Sequence, residues 1–142
     1  MVTTEVNCFG GSDGSFTLTG VNIDGYSIDG GAPVVSGSPF TVTGLSAGTY
    51  NVLVSSIEGC TANQDVIIIE PTLLTANAVP TAASCFGECD GSVIITPNGG
   101  TPGYSFNWIG AVTGDQTGNG NAICAGTYLT EVTDNNGCLV EV

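Results

Sequence analysis

The chain writes one eight-residue phrase twice: CFGGSDGS starts at Cys8 and CFGECDGS at Cys85, 77 positions on. Cys8, Phe9, Gly10, Asp13, Gly14 and Ser15 meet Cys85, Phe86, Gly87, Asp90, Gly91 and Ser92 at that offset. From Gly25 onward the offset becomes 78. GYS at 25–27 then meets GYS at 103–105, AGTY at 47–50 meets AGTY at 125–128, and Gly59-Cys60 meets Gly137-Cys138. One single-residue insertion aligns the whole unit, so the chain reads as two tandem modules, 1–71 and 72–142. Each must build a core from about half of 142 residues.

Each module is expected to be all-β. SFTLTG and SVIITPN follow an Asp-Gly turn, and residues 26–28 and 104–108 form a second run. FTVTGL precedes AGTYNVLVSS in the first module, AGTYLTEVTD is the corresponding run in the second, and NQDVIIIEP closes the first. Tyr50, Val52 and Val54 alternate with Asn51, Leu53 and Ser55, the period of a strand. Short strands separated by Gly and Asp/Asn turns predict two Ig-like antiparallel β-sandwich modules.

The charge is one-sided. Thirteen acidic residues face no Lys, Arg or His, for a net charge of −13. A basic footprint for nucleic acid or anionic lipid is therefore missing. Triads and Cys-His pairs that need histidine cannot form within the chain, and trypsin has no site to cut. No apolar run is long enough to insert in a membrane. Paired carboxylates for glycoside hydrolysis need a cleft that modules of this size scarcely provide, so no enzyme and no catalytic residue is expected. MVTTEVN has neither a basic start nor an apolar stretch, so either a signal has been removed or the chain is a segment of something longer.

Six cysteines in a strand-rich chain suggest disulfides and an oxidising compartment. Cys8 and Cys60 are the only two in the first module and most simply pair with each other. Cys85 and Cys138 are their equivalents. Cys89 and Cys124 remain, and their counterparts are Ser12 and Ser46. Two cysteines present together in one module and absent together in the other suggest a bridge between neighbouring loops. The alternative is a four-thiol metal site of Cys85, Cys89, Cys124 and Cys138.

The combined pattern resembles the SprB repeat. It runs C-F-G-x-x-D-G-S, G-G-T-P-G-Y-S-F-N-W, A-G-T-Y-x-x-x-V-T-D-x-N-G-C, then a strand ending in E-P. The second module carries it at 85–92, 99–108 and 125–138, the first at 8–15, 47–50, 59–60 and 70–71. The first module has no Trp where Trp108 stands. The resemblance implies long bacterial cell-surface adhesins of Bacteroidetes, including the gliding-motility adhesin. It further implies type IX export and extracellular display. The implied partners are neighbouring repeats or copies of the chain itself.

Val142 is equivalent to position 64, so residues 65–70, DVIIIE, have no counterpart in the second module. One reading is that the chain is a fragment of a longer array whose next residues supply the strand; the other is strand donation, since a sandwich without its last strand exposes an edge that an extended segment of another chain can fill. Residues 1–7, with Val2, Thr4 and Val6 on one face, are an expected donor, and head-to-tail donation builds a filament.

Among individual residues, Asp13 and Asp90 are expected to shape turns. No cofactor is expected except Ca²⁺, for which Asp24, Asp29, Asp90 and Asp134 are the loose ligand candidates. Tyr104, Phe106 and Trp108 share one strand face and are expected in the core rather than as a platform for surface glycans. Tyr50 and Tyr128 are expected to pack, with the hydroxyl bonding nearby backbone. The expected function is a disulfide-braced spacer of a surface protein or filament, with a glycan-binding or other surface-binding module as the alternative.

Overall fold

A computed structural model describes residues 1–110 and 118–142. The chain divides into two compact units, Met1–Glu70 and Pro71–Val142. Both are all-β with antiparallel pairing among the described residues.

The first unit contains β1 (Val2–Thr4), β2 (Gly14–Leu18), β3 (Ile23–Ile28), β4 (Val34–Val35), β5 (Phe40–Leu45), β6 (Gly48–Ser56) and β7 (Thr61–Ile68). They form two sheets, β1-β2-β5 and β4-β3-β6-β7. Phe16 and Phe40 of the first sheet meet Val52, Val66 and Ile68 of the second, with Val6 beside them, and all six are buried. Phe16 and Phe40 touch edge to face at 6.4 Å, and Tyr26 stacks on Phe40 at 4.1 Å. Aromatic pairs in these geometries add to the burial itself.

The second unit contains β8 (Thr75–Thr81), β9 (Gly91–Asn98), β10 (Ser105–Ile109), β11 (Asn119–Ile123), β12 (Leu129–Thr133) and β13 (Leu139–Glu141). Its sheets are β11-β9-β8 and β10-β12-β13. Leu74, Ile95, Ile123, Thr130 and Val132 are buried there.

The sequence repeat is also a repeat of hydrogen-bond register. Val2 faces Thr17 in the first unit, and Val79 faces Ile94 in the second, each 77 positions on. Ser15 faces Thr43 where Ser92 faces Asn121. Ser55 faces Thr61 where Thr133 faces Leu139. Even the irregularity recurs, with a register shift at the glycine end of both the β2–β5 and β9–β11 ladders. The extra residue is Gly44 (φ 76°) in one and Ala122 (φ 57°) in the other. A bulge residue in left-handed backbone is ordinary for glycine and strained for alanine.

One ladder departs from the repeat. Ser27 faces Leu53, yet Asn107 faces Glu131, the position 78 past Leu53. Ser27 therefore corresponds to Asn107, Tyr26 to Phe106 and Ile28 to Trp108, two positions beyond the GYS match. A slip of two keeps each side chain on its face, so the inward pattern survives. The residues taken up lie in the 99–104 loop, which Tyr104 closes by donating its hydroxyl to the Gly99 carbonyl at 2.7 Å.

Replacing Phe16 by Ala is expected to cost about 3–5 kcal/mol. Replacing the exposed Ile67 by Thr should stay within about 0.5 kcal/mol. Urea unfolding of the two variants checks the assignment of faces.

Candidate functional site

The two units differ most where β7 completes the first core. Strand β6 pairs with β7 along its length, from Ser55–Thr61 to Gly48–Ile68. Only the far half of β7 enters the core: residues 61–65 are exposed, Val66 and Ile68 are buried, and Ile67 faces out. In the second unit β13 repeats the near half alone. It ends with Val142 and Thr130 exchanging backbone hydrogen bonds of 3.0 and 2.8 Å. Beyond Thr130 only Leu129 remains in β12, whereas the corresponding part of β6 runs back to Gly48. No described strand pairs with Gly126, Thr127 or Tyr128.

A groove of about 540 Å³ lies there. Its walls include Ala78, Val93, Ile95, Trp108, Ile123 and Tyr128. Val93 stands where Phe16 stands in the first unit, but Phe16 is fully buried and Val93 only partly. Trp108 is half-buried, as are Tyr104 and Phe106, while Ser105, Asn107 and Ile109 between them are exposed. The three aromatics share one face of β10. The indole reaches over Gly120, where an added Cβ would lie 2.8 Å from its ring.

The expected donor is already in use. Val2 and Thr4 lie in β1, paired with Thr17 and Ser15 of the same unit. Val6 is buried in that unit's core, and its N–H donates to the Ile69 carbonyl at 2.9 Å. Residues 1–7 belong to the first unit because β2 and β7 leave a seat between them.

Cys89 and Cys124 form a disulfide across a separation of 35 residues. It ties the loop before β9 to the segment after β11, at one end of the groove. A closure of this length stabilises by roughly 3–4 kcal/mol in the chain-entropy account. The expected pairs Cys8–Cys60 and Cys85–Cys138 do not form. Cys60 and Cys85 are exposed free thiols, and Cys8 and Cys138 are each disulfide-bonded. Strand geometry explains this. Cys60 lies in the hairpin before β7, whose eight residues carry the chain to Ile69 beside Val6 and so to the Cys8 end. Eight extended residues span roughly 26 Å, far beyond the ~7 Å a disulfide allows. Cys85 and Cys138 are likewise separated by the length of β12. The bridges also consume three of the four thiols in the expected metal site.

Residues 77–113, which include all of β9 and β10, match the family model of the SprB repeat. That match lies within the second unit and covers about a quarter of the chain. Such repeats are typical of cell-surface proteins. No curated protein and no solved structure matches the chain. Within the described residues, no helix is long and apolar enough to cross a membrane.

Among the described residues, Asp13, Asp29, Asp90 and Asp134 accept hydrogen bonds from backbone N–H groups. Asp13 accepts from the Asn7 N–H at 3.1 Å and also takes its side-chain amide. Asp90 accepts from the Ser84 N–H at 2.8 Å, the same bond 77 positions on. That serine, through side chain and backbone, holds the Asp90 carboxyl below its ordinary range. Asp29 accepts from the Asn51 N–H at 2.8 Å, and Asp24 from the Ser55 hydroxyl at 3.1 Å. Asp134 is buried. It accepts from the N–H groups of Thr101 (2.8 Å), Asn136 (2.9 Å) and Cys138 (2.9 Å). Burial pushes its pKa up, but these donors together outweigh burial and hold it below the usual value. The first unit does the same job with a neutral group: Ser56 Oγ accepts from the Cys60 N–H at 3.2 Å. No three His, Cys, Asp or Glu side chains converge as metal ligands among the described residues. Tyr128 donates to the Cys124 carbonyl at 3.0 Å, as Tyr50 does to the Ser46 carbonyl at 2.9 Å.

A thiol-reactive dye should titrate two cysteines per native chain, Cys60 and Cys85, with or without chelator. Replacing Cys89 and Cys124 together by Ser should destabilise the second unit by roughly 3–4 kcal/mol in denaturant unfolding. A carboxylate with a lowered pKa stabilises the fold above its unfolded value, and that contribution is lost as pH falls through the folded one. The second unit should therefore weaken as pH drops below about 4. Asp134→Asn should flatten that fall, as read by thermal unfolding across the acid range.

Proposed function

We propose that the chain is a spacer segment of a long extracellular bacterial surface protein, with scaffolding rather than catalytic work to do. The observation that carries this reading is the shared strand plan. Two successive units repeat three ladders in the same register, and part of the second matches the SprB repeat. A unit that recurs in register is suited to an array. The Cys89–Cys124 bridge suits an oxidising exterior, where it persists unaided. Acidic side chains without any basic partner keep such an array soluble and mutually repelling.

The CFG loops support the same reading. Phe9 and Phe86 hold matching positions, and both stand exposed, Phe86 completely. Each unit thus exposes an apolar side chain at the same place in its repeat.

A glycan-binding reading draws on Trp108 at the groove wall, since exposed aromatics stack on sugar rings. It is separable by experiment. Antibody raised against the chain should label intact cells that produce the parent protein. Labelling only after permeabilisation would overturn surface display. A glycan array probed with the chain, with and without calcium, should show no saturable binding. A calcium-dependent hit would replace the spacer reading with the binding one.

A further inference from the structure

We propose that Cys60 and Cys85 are the two halves of a disulfide that joins copies of this chain head to tail. Both are exposed thiols. Each lies in a loop closed by strands on both sides, Cys60 between β6 and β7 and Cys85 between β8 and β9. The link goes beyond the spacer reading, which stands whether or not the link forms.

The repeat supplies the comparison. Cys8 and Cys85 hold one repeat position, Cys60 and Cys138 the other. At each position one cysteine is oxidised and its counterpart is not. Cys8 and Cys138 are disulfide-bonded, whereas Cys85 and Cys60 are thiols. Both positions are therefore seen to hold a disulfide, and the free pair contains one of each kind.

Each unit keeps its two positions at opposite ends. In the first unit the chain leaves beside the CFG loop, where the Ile69 carbonyl accepts from the Val6 N–H and the Glu70 carboxylate from the Gly10 N–H at 2.6 Å. Cys8 lies at this end and Cys60 at the other, across β7. In the second unit the chain arrives beside the Cys138 turn. Gly100 donates to the Thr72 carbonyl at 2.8 Å, Thr101 to the Asp134 carboxylate at 2.8 Å, and the Asp134 N–H to the Cys138 carbonyl at 3.0 Å. Cys85 lies at the other end, past β8. The position of Cys8 and Cys85 thus marks where the chain leaves a unit, and that of Cys60 and Cys138 where it arrives. Joining Cys85 of one copy to Cys60 of the next sets a leaving end against an arriving end. A heterologous contact of this kind repeats without closing.

The two ends also fit. Phe86, next to Cys85, is completely exposed. Beside Cys60 is a hollow of about 180 Å³ walled by Val21, Ile23, Val54 and Ala62. A cavity of about 150 Å³ holds benzene, so this one has room for the Phe86 ring of a second copy.

The chemistry is thiol–disulfide exchange with a small-molecule disulfide, for which oxidised glutathione serves. The Cys60 thiolate attacks one sulfur, forms a mixed disulfide and releases one glutathione thiolate. The Cys85 thiolate of a second copy then attacks the Cys60 sulfur and releases the other. Two electrons pass from the two protein thiols to the small disulfide, which leaves as two thiols.

The test is incubation of the intact chain with oxidised glutathione at about 1 M salt, where the Debye length is about 3 Å and the nearby Glu58 and Glu88 are screened. Non-reducing gels should show dimers, trimers and higher multiples, and peptide maps should join Cys60 to Cys85. Cys60→Ser and Cys85→Ser chains should each stay monomeric as mixed disulfides. Their equimolar mixture should give one dimer and nothing larger. Phe86→Ser should slow linking by roughly tenfold, as the loss of a seated ring predicts. Dimers of either cysteine variant alone would mean undirected oxidation and would overturn the proposal. So would a Cys60–Cys85 bond within one chain, glutathione-capped monomers only, or an unchanged rate with Phe86→Ser.

Discussion

Closure of the first core depends on one strand running its full length. Val66 and Ile68 cover Phe16 and Phe40 only because β7 continues along β6 past the point where its own first half has stopped contributing to the core. Each of those two side chains contributes roughly 1.5–3 kcal/mol when fully buried. In the second unit the same ladder stops at Thr130 and Val142, and the apolar floor beneath lies open.

Other parts of the plan work without the closing half-strand. The bulge at Gly44 and Ala122, the tyrosine bonds to the 46 and 124 carbonyls, and the aspartates that bind the 7 and 84 amides recur in both units. They are local: each is made by residues near in sequence or on adjacent strands. The second unit adds two of its own supports near its open end and its far turn, the Cys89–Cys124 bridge and buried Asp134. Asp134 satisfies at least three backbone donors with one carboxylate, a role a neutral Ser56 fills less fully in the first unit.

Much of this was legible in the sequence because the chain carries its own alignment. The repeat implied the two-unit plan, the all-β class and the position where the second unit has no counterpart of DVIIIE; alternation put Tyr104, Phe106 and Trp108 on one strand face and led to their being expected in the core, but they are half-buried and Trp108 lines the groove. The repeat could not give distances. Cys8 and Cys60 look like natural partners by elimination, but an eight-residue strand stands between their ends of the unit. Nor could it detect a slip of two residues, since the GYS motif matches by identity while the ladder pairs Asn107 with Glu131. Period-two faces hide such a slip. Asp134 was read as a calcium candidate because its loop resembles an oxygen-rich turn. In the structure the N–H groups of Asn136 and Cys138 fold back on its carboxylate, while that of Gly137 bonds its backbone carbonyl.

The account turns on a strand edge that is closed in one unit and open in the other. Residue-resolved amide hydrogen exchange tests it most directly. The N–H groups of Thr49 and Tyr50 should exchange slowly, with those of the β6 interior, and Thr130 and Val132 should also be protected. Thr127 and Tyr128 should exchange faster than Thr49 and Tyr50 by at least two orders of magnitude. Equal protection at the two pairs would mean that the second core is already closed, and would contradict the account.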